Sequence, residues 1–318
     1  MPQRYEAMQS LLEGYTAQTL IDHEAELEVT FVPSVGMVGG SMRHRGDELL
    51  GQRGGIARYE ATRSTMGIPI LHPWANRLSG YEYAIGSHPV ELDADSPLLN
   101  KDPNDLPIHG LIGASPYWEL LGAQGDAASA RISARLDFAA HPEYLEGFPF
   151  PHDLRIDASL RDATVTLRAT LTATGEIPVP LSFGFHPYFT LPGADRDDWE
   201  IDLPVGRRLV TDDRQIPTGE TEPVEIEPGP LGDRTFDDGY TDLREPARFT
   251  LTGGGRQIAI EFTSGYPFAQ VYAPDDDTVI AIEPMTAPTN ALVSGQDLQL
   301  VAPGESRSAT FTVSVRPT

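Results

Sequence analysis

The chain of 318 residues contains no cysteine. This absence excludes a disulfide framework, a zinc site with thiolate ligands and a thiol nucleophile. It leaves the redox compartment undecided. The chain needs neither disulfides nor a structural metal to fold, because a protein of this length buries most of the surface that its unfolded form exposes.

Long apolar runs are also missing. No stretch of about 18 apolar residues occurs, so the sequence predicts no membrane span. The first residues, MPQRYEAMQSLLEGY, carry Glu6 and Glu13 and lack the pattern of a secretory signal or a transit peptide. We therefore expect a cytoplasmic protein.

Positive charge is scarce: 23 lysines and arginines stand against 47 aspartates and glutamates, which gives a formal net charge of -24. So acidic a chain repels phosphate backbones and anionic lipid, which makes nucleic acid and membranes poor partners. It also disfavours a polyanionic substrate, and no phosphate-binding cluster of basic residues is visible. A monomer and a homodimer are both compatible with the sequence.

Helical patterns are nearly absent, and only Glu6 to Leu12 offers a short amphipathic candidate. Apolar and polar residues instead alternate with a period of two, which is typical of half-buried antiparallel strands. The clearest predicted strands cover residues 131–138, 154–160, 164–172, 258–262 and 309–315. Because strands follow one another without intervening helices, we predict an all-β protein of stacked, largely antiparallel sheets.

No segment has the composition of an interdomain linker, and no internal repeat is evident. The proline-rich stretch 216–230 includes Val224 and Ile226, so we predict an ordered loop there. Together these features predict a single domain over residues 1–318.

A proline-kinked segment, residues 67–80, breaks the alternation and carries Trp74, Asn76 and Arg77. The guanidinium of Arg77 offers several donors suited to sugar hydroxyls, and Trp74 offers a flat apolar face. A structural interpretation is equally compatible with this segment. In it, Arg77 pairs with a carboxylate and Trp74 fills the core.

Three further polar residues interrupt apolar segments. His109 precedes Gly110 and either reaches into a cleft or is a structural histidine, the more frequent case. His186 lies among aromatics and before a proline, where a shifted pKa suits a proton donor. Glu283 closes an apolar strand and shares a face with buried residues, so its carboxylate must be paired, hydrogen-bonded or functional.

Opening a pyranose ring needs a general acid and a general base, for which the sequence offers a histidine and a glutamate. An arginine and a second histidine provide polar groups beside them. The acid protonates the ring oxygen while the base removes the proton of the anomeric hydroxyl. The chemistry requires no cofactor and no metal. We expect it to operate while His186 is charged and Glu283 is ionised.

In five segments the sequence resembles the aldose 1-epimerase (galactose mutarotase-like) family. The resembling segments are Asn76-Arg77, Ile108-His-Gly110, Gly184-Phe-His-Pro-Tyr-Phe189, Phe236-Asp-Asp-Gly-Tyr240 and Ile282-Glu-Pro-Met-Thr286. They occur in the family's order. The segment Pro107-Ile-His-Gly-Leu111 lacks the second glycine that the galactose enzymes often show, which leaves the hexose preference open.

The resemblance implies a β-supersandwich with a sugar cleft on one curved sheet. It casts His186 as the general acid on the ring oxygen and Glu283 as the general base on the anomeric hydroxyl. Arg77 and His109 would hold the sugar, and an aspartate of 236–240 would accept from its hydroxyls. Asp237 is the first choice for that role and Asp238 the second.

Two other functions compete with the epimerase. A non-catalytic carbohydrate-binding sandwich would keep Trp74, Arg77 and the aspartate but would not need both His186 and Glu283. A metal-dependent hydrolase would draw on the histidines, but none shows a His-x-His or His-x₃-His spacing. Those histidines are His72, His109, His141, His152 and His186.

Overall fold

Antiparallel β-strands are the main secondary structure of the computed structural model, which describes residues 3–318. The strands of the first half are β1 (Tyr5–Leu12), β2 (Tyr15–Asp22), β3 (Leu27–Val32), β4 (Val38–His44), β5 (Asp47–Glu48), β6 (Ile70–Leu71), β7 (Glu82–Ile85), β8 (His88–Glu91), β9 (Asn100–Lys101), β10 (Pro107–Ile108), β11 (Glu119–Gly125), β12 (Ala130–Asp137), β13 (His152–Arg161) and β14 (Thr164–Ala173).

The second half contributes fourteen more strands. They are β15 (Val179–Leu181), β16 (Gly184–Phe185), β17 (Tyr188–Phe189), β18 (Glu200–Asp202), β19 (Arg207–Thr211), β20 (Pro217–Pro223), β21 (Gly229–Pro230), β22 (Phe236–Thr241), β23 (Arg248–Gly253), β24 (Arg256–Ser264), β25 (Phe268–Ala273), β26 (Ile280–Met285), β27 (Gln299–Val301) and β28 (Ser306–Pro317).

Helices are short: α1 (Gly55–Thr62), α2 (Pro142–Gly147), α3 (Ala291–Ser294), and two 3₁₀ turns at Phe138–Ala140 and Arg196–Asp198. None of the helices within residues 3–318 is long and apolar enough to cross a membrane.

Three larger sheets organise the strands. The largest has nine strands in the order β11-β12-β13-β14-β28-β24-β23-β18-β21. An eight-stranded sheet runs β20-β19-β22-β25-β26-β16-β6, with β17 also paired to β26, and β1 to β5 form a five-stranded meander. The prediction of an all-β protein with several antiparallel sheets is confirmed.

The alternating segments form the predicted strands. Along β13 the even-numbered residues are buried and the odd-numbered ones are more exposed. β14 also alternates, with its odd-numbered residues buried. The buried sides join a cluster of apolar residues that includes Tyr5 near one end of the chain and Val315 near the other. The single domain over 1–318 stays a prediction.

Two local predictions were wrong. The helix candidate Glu6 to Leu12 lies in strand β1, which pairs with β2 along its whole length. Glu13 and Gly14 join these strands, both with positive φ (51° and 89°), as the two-residue turns favoured in hairpins require. The predicted loop 216–230 contains β20 and β21, and Val224 and Ile226 pack against the core.

A pair of histidines is buried in the core. His72 Nε2 lies 2.7 Å from His152 Nε2, and His152 Nδ1 donates to the Phe150 carbonyl at 2.6 Å. His152 Nε2 is therefore the acceptor in the neutral pair, and His72 donates to it. Burial lowers the pKa of His152 to about 4 and holds the pKa of His72 well below its ordinary value.

Because of this buried histidine pair, we expect the folded protein to become less stable as the pH falls. Unfolded histidines take up protons near pH 6.5, whereas in the folded chain the pKa of His152 is about 4 and that of His72 lies well below its ordinary value. Between those values the unfolded state binds more protons, so the free energy of unfolding falls as the pH falls. Each histidine contributes a slope of up to about 1.4 kcal/mol per pH unit.

Urea unfolding between pH 7 and pH 5 measures this slope. A His72→Leu/His152→Leu double variant should show a weaker pH dependence than the wild type, and His23→Leu, at an exposed histidine, should not. An unchanged slope in the double variant would assign the acid sensitivity to other groups.

Candidate functional site

A cleft of about 540 Å³ opens beside strands β22, β25 and β26 of the eight-stranded sheet, and loops from the first half of the chain complete it. Its polar lining includes Arg53, Thr65, Asn76, Arg77, Asp102, His109, His186, Tyr188, Asp237, Tyr272 and Glu283. A groove of about 610 Å³ on the nine-stranded sheet contains neither histidine nor glutamate, and its Arg131 and Arg155 are paired with aspartates. The cleft is therefore the candidate site.

Glu283 and His186 meet at the floor of the cleft. Glu283 projects from β26, and His186 lies between β16 and β17, where its backbone N–H donates to the Pro69 carbonyl. The distance from His186 Nε2 to Glu283 Oε1 is 3.1 Å, and the side chains are only 6% and 2% exposed. His186 Nδ1 and Glu283 Oε2 have no hydrogen-bond partner within the described chain. Strand β26 continues past Glu283 to Met285, two residues beyond the end predicted at Glu283.

Burial shifts both members of this pair toward their neutral forms. It raises the pKa of Glu283 well above the ordinary value, and Asp237 adds to this rise while Arg77 opposes it. Burial also lowers the pKa of His186 well below its ordinary value, with His109 and Arg53 acting in the same direction. Both shifts oppose the charged His186 and the ionised Glu283 that the sequence analysis expected.

Contacts with three neighbouring side chains fix the guanidinium of Arg77. Its Nε donates to Asp102 Oδ2 at 2.9 Å, its Nη1 donates to Asn76 Oδ1 at 2.9 Å, and its Nη2 lies 3.6 Å from Asp237 Oδ2. The fork of donors therefore has one fixed orientation at the cleft wall. Arg77 both pairs with a carboxylate and lines the cleft, so the structure combines the two interpretations of this residue.

Asp102, which holds Arg77, was not identified from the sequence. Burial acts to raise its pKa, but the net shift is downward because the N–H groups of Leu106 and Asn104 and the Arg77 guanidinium hydrogen bond to the carboxylate. Its side chain is only 1% exposed. The only local signal is Asp102-Pro-Asn-Asp105, a turn-forming sequence.

His109 reaches the cleft from a tight turn. Its φ is 65° and that of Gly110 is 75°. A Cβ at Gly110 would lie 2.1 Å from the His72 carbonyl oxygen, so only glycine fits there. The ring of His109 meets His186 edge to face at 5.3 Å. Burial, aided by Arg77 and Arg53, lowers its pKa to about 3, so it is neutral and can serve as a hydrogen-bonding group but not as an acid near pH 7.

The two adjacent aspartates lie on opposite faces of β22. Asp237 lines the cleft and accepts from Gln270 Nε2 at 2.8 Å. Asp238 is not part of the lining and lies 3.5 Å from both Arg208 Nη1 and the Tyr240 hydroxyl. Because successive side chains of a strand alternate, one of the two must point away. The structure therefore contradicts the placement of Asp238 in the site.

Trp74 also lies outside the cleft. Its side chain is fully buried in the main hydrophobic core, together with Leu78 and other apolar residues. A backbone bridge to Ser182 holds its segment. The suggestion that Trp74 contacts a sugar is therefore wrong, because no face of the indole reaches the cleft.

Several lining residues escaped the sequence analysis, among them Arg53, Thr65, Tyr188 and Tyr272. Tyr188 belongs to the recognised segment 184–189, but nothing in the pattern shows which of its aromatics faces the cleft. Arg53 and Thr65 flank helix α1, which was not predicted. Across residues 3–318, no group of three or more histidines, aspartates or glutamates is arranged to hold a metal ion.

Comparison with known proteins places this geometry in context. The family model described as aldose 1-epimerase matches residues 39–314. The uncharacterized protein YihR of Escherichia coli is 24% identical over 252 residues, which cover 77% of each chain.

Two solved structures are similar over nearly the whole chain. A galactose mutarotase-like protein from Clostridium acetobutylicum has a TM-score of 0.84 at 17% identity, with 98% of each chain covered. The galactose 1-epimerase of Lactobacillus acidophilus has a TM-score of 0.76 at 15% identity, with 99% of each chain covered. At these identities the likeness shows the fold.

Proposed function

Since the chain belongs to the aldose 1-epimerase family, we propose that it interconverts the α and β anomers of a free aldose by acid–base ring opening and closure. The observation that carries the proposal is the 3.1 Å contact between His186 Nε2 and Glu283 Oε1. In an aldopyranose the ring oxygen and the anomeric hydroxyl are bonded to the same carbon. An acid for one and a base for the other must therefore present their atoms side by side.

Sugar binding prepares the pair for reaction. The anomeric hydroxyl donates to Glu283, which favours the carboxylate, and His186 Nε2–H donates to the ring oxygen, which favours the imidazolium. Glu283 then removes the hydroxyl proton, the C1–O1 bond becomes a carbonyl, and the bond from C1 to the ring oxygen breaks as that oxygen takes the proton of His186.

Ring opening leaves Glu283 protonated and His186 neutral, the forms that burial favours. Rotation about the C1–C2 bond presents the other face of the aldehyde. Closure reverses the proton transfers and gives the other anomer. No cofactor enters these steps. Arg77, Asn76, His109 and Asp237 hold the hydroxyls of the sugar in this scheme.

Anomer exchange tests the proposal directly. Polarimetry of freshly dissolved glucose, galactose, xylose and arabinose, with and without the protein, should show faster equilibration for at least one sugar. Dialysis against EDTA should leave the rate unchanged. Binding of a sugar without acceleration would support a carbohydrate-binding protein, and activity lost to EDTA and restored by a divalent metal would contradict the mechanism.

The catalytic efficiency should show a bell-shaped pH profile, because the reactive pair holds one proton. Its two apparent pKa values belong to the pair as a whole. The acidic limb reports uptake of a second proton by the pair, and the basic limb reports loss of the one proton that the pair holds. A flat profile from pH 4 to pH 10 would remove both residues from the chemistry.

The neighbouring aspartates provide a matched pair of variants. Asp237→Asn should raise KM about tenfold, since the carboxylate accepts hydrogen bonds from the bound sugar in ground and transition states alike. Asp238→Asn should leave KM within about twofold, because that side chain points away from the cleft. The reverse pattern in steady-state kinetics would contradict the assignment.

The proposal includes a cytoplasmic location and a monosaccharide partner for a monomer or a homodimer.

A further inference from the structure

We infer that Tyr188, held by Arg53, is a positioning residue that provides His186 with a hydrogen-bond partner in both of its protonation states. The kinetic part of this inference rests on the proposed function, and the spectroscopic part does not. The resemblance to the family assigned no role to either residue.

Tyr188 contacts His186 through its ring and through its hydroxyl. The two rings stack with centroids 4.2 Å apart and an interplanar angle of 18°. The Tyr188 hydroxyl lies 3.2 Å from His186 Nε2, the same nitrogen that meets Glu283. The Tyr188 hydroxyl is therefore within hydrogen-bond distance of the nitrogen whose charge changes in the proposed reaction.

The hydroxyl has three neighbours and one hydrogen to donate. Arg53 Nη1 lies 2.9 Å away and can only donate to it. Thr65 Oγ1 lies 2.7 Å away and can donate or accept. When Thr65 donates, the phenolic hydrogen is free to point at an unprotonated Nε2. When Thr65 accepts, a phenolic lone pair faces Nε2 and can receive its N–H.

Arg53 is itself anchored. Its Nε donates to Asp277 Oδ2 at 3.1 Å, and its guanidinium lies 4.7 Å from the centroid of the Tyr188 ring. The donor to the phenol is thus held by a second contact. Because Arg53 always occupies one lone pair, the hydroxyl has only the two orientations described above.

These two orientations match the two states of the proposed reaction. In the closed-ring complex the phenol donates to Thr65 and turns a lone pair toward the charged imidazole, whose Nε2–H is shared between that lone pair and the ring oxygen of the sugar. The neutral imidazole after ring opening accepts from the phenol instead. Nε2 then keeps a partner after it has lost its proton, which avoids the cost of an unsatisfied buried acceptor.

Other charged or titratable groups also influence His186. Glu283 faces it from β26, Tyr272 from β25, His109 from the turn after β10, and Arg77 and Arg53 from the loops. A variant series must therefore separate the charge of Arg53 from its hydrogen bond to Tyr188.

Tyr188→Phe removes the hydroxyl and keeps the stacked ring. We expect kcat to fall about tenfold, the size of one hydrogen bond to a group that becomes charged, with KM within about twofold. The ¹⁵N resonance of His186 Nε2 in the free protein should shift, once it is assigned by its absence in His186→Ala. The matched control is Tyr83→Phe, which removes a buried hydroxyl bonded to the Gly147 carbonyl, and it should change neither readout.

Two substitutions at Arg53 separate charge from geometry. Arg53→Lys keeps the cation but cannot bridge Asp277 and the phenol, so kcat should fall as in Tyr188→Phe while the acidic limb stays in place. Arg53→Met also removes the charge that lowers the pKa of His186, so its acidic limb should move to higher pH. Arg155→Met, at an exposed ion pair, is the control.

The outcomes are distinguishable. A Tyr188→Phe enzyme with wild-type kcat and an unshifted His186 resonance would overturn the inference. A raised KM with unchanged kcat would do so as well, because Tyr188 would then contact the sugar instead of serving His186. If the wild type exchanged no anomers, the proposed function would fail, and the His186 resonance would still decide whether Tyr188 bonds to that nitrogen.

Discussion

A Glu283→Gln protein is expected to lose about 10²- to 10⁴-fold in kcat/KM for anomer exchange, the usual contribution of a positioned proton transfer. Glutamine keeps the shape and one acceptor of the side chain but cannot take a proton from the anomeric hydroxyl. The protein should remain folded, because burial already favours the uncharged form of Glu283. Stability should equal or exceed that of the wild type, as measured by the midpoint of urea unfolding.

Glu261→Gln provides the control for this variant. Glu261 is a partly exposed residue of β24 that pairs with Arg248 at 3.4 Å. It does not line the cleft. Its substitution should leave the exchange rate within about twofold. A Glu283→Gln protein with nearly normal exchange and unchanged stability would refute the role of Glu283 as the base.

His186→Ala should cause a loss of similar size, since it removes the group that protonates the ring oxygen. It also leaves a cavity beside Tyr188, so free imidazole in the buffer should enter and restore part of the activity. Polarimetry at increasing imidazole concentrations measures the recovery. His88→Ala, at an exposed histidine of β8, should neither lose activity nor respond to imidazole.

The double variant His186→Ala/Glu283→Gln should be hardly slower than the worse single variant. The two residues move protons in one concerted act, so losing either one disables the pair. Losses that multiply would instead indicate that each residue works independently of the other. That result would contradict the reaction drawn from their 3.1 Å contact.

The sheets could be predicted from the sequence because alternation is a local property. Segments such as 154–160 show it within a few residues, and their burial in β13 follows the pattern. Turn chemistry was harder to recognise. Glu13-Gly14 makes a hairpin out of a segment that has the spacing of a helix, and this outcome depends on the pairing of β1 with β2.

The site was only partly predictable, for reasons that differ from residue to residue. Glu283 and His186 stood out because a charge in apolar surroundings is costly. The sequence does not show which face of β22 is turned toward the cleft, so it could not distinguish Asp237 from Asp238. It could not place Trp74 either, because an indole can pack in a hydrophobic core or stack on a sugar. Asp102 and Arg53 act through contacts with residues distant in sequence, Arg77 and Tyr188, which no local pattern contains.

Strand β28 sits in the interior of the nine-stranded sheet, between β14 and β24. Leu167 of β14 pairs with Phe311, and Ile260 of β24 pairs with Val313 of the same strand. During synthesis β14 leaves the ribosome long before its partner exists, so its edge stays open until about 140 further residues have been added. An open edge invites pairing with other chains. Nascent chains that stall before β28 therefore expose the edge of β14 to pairing with other chains.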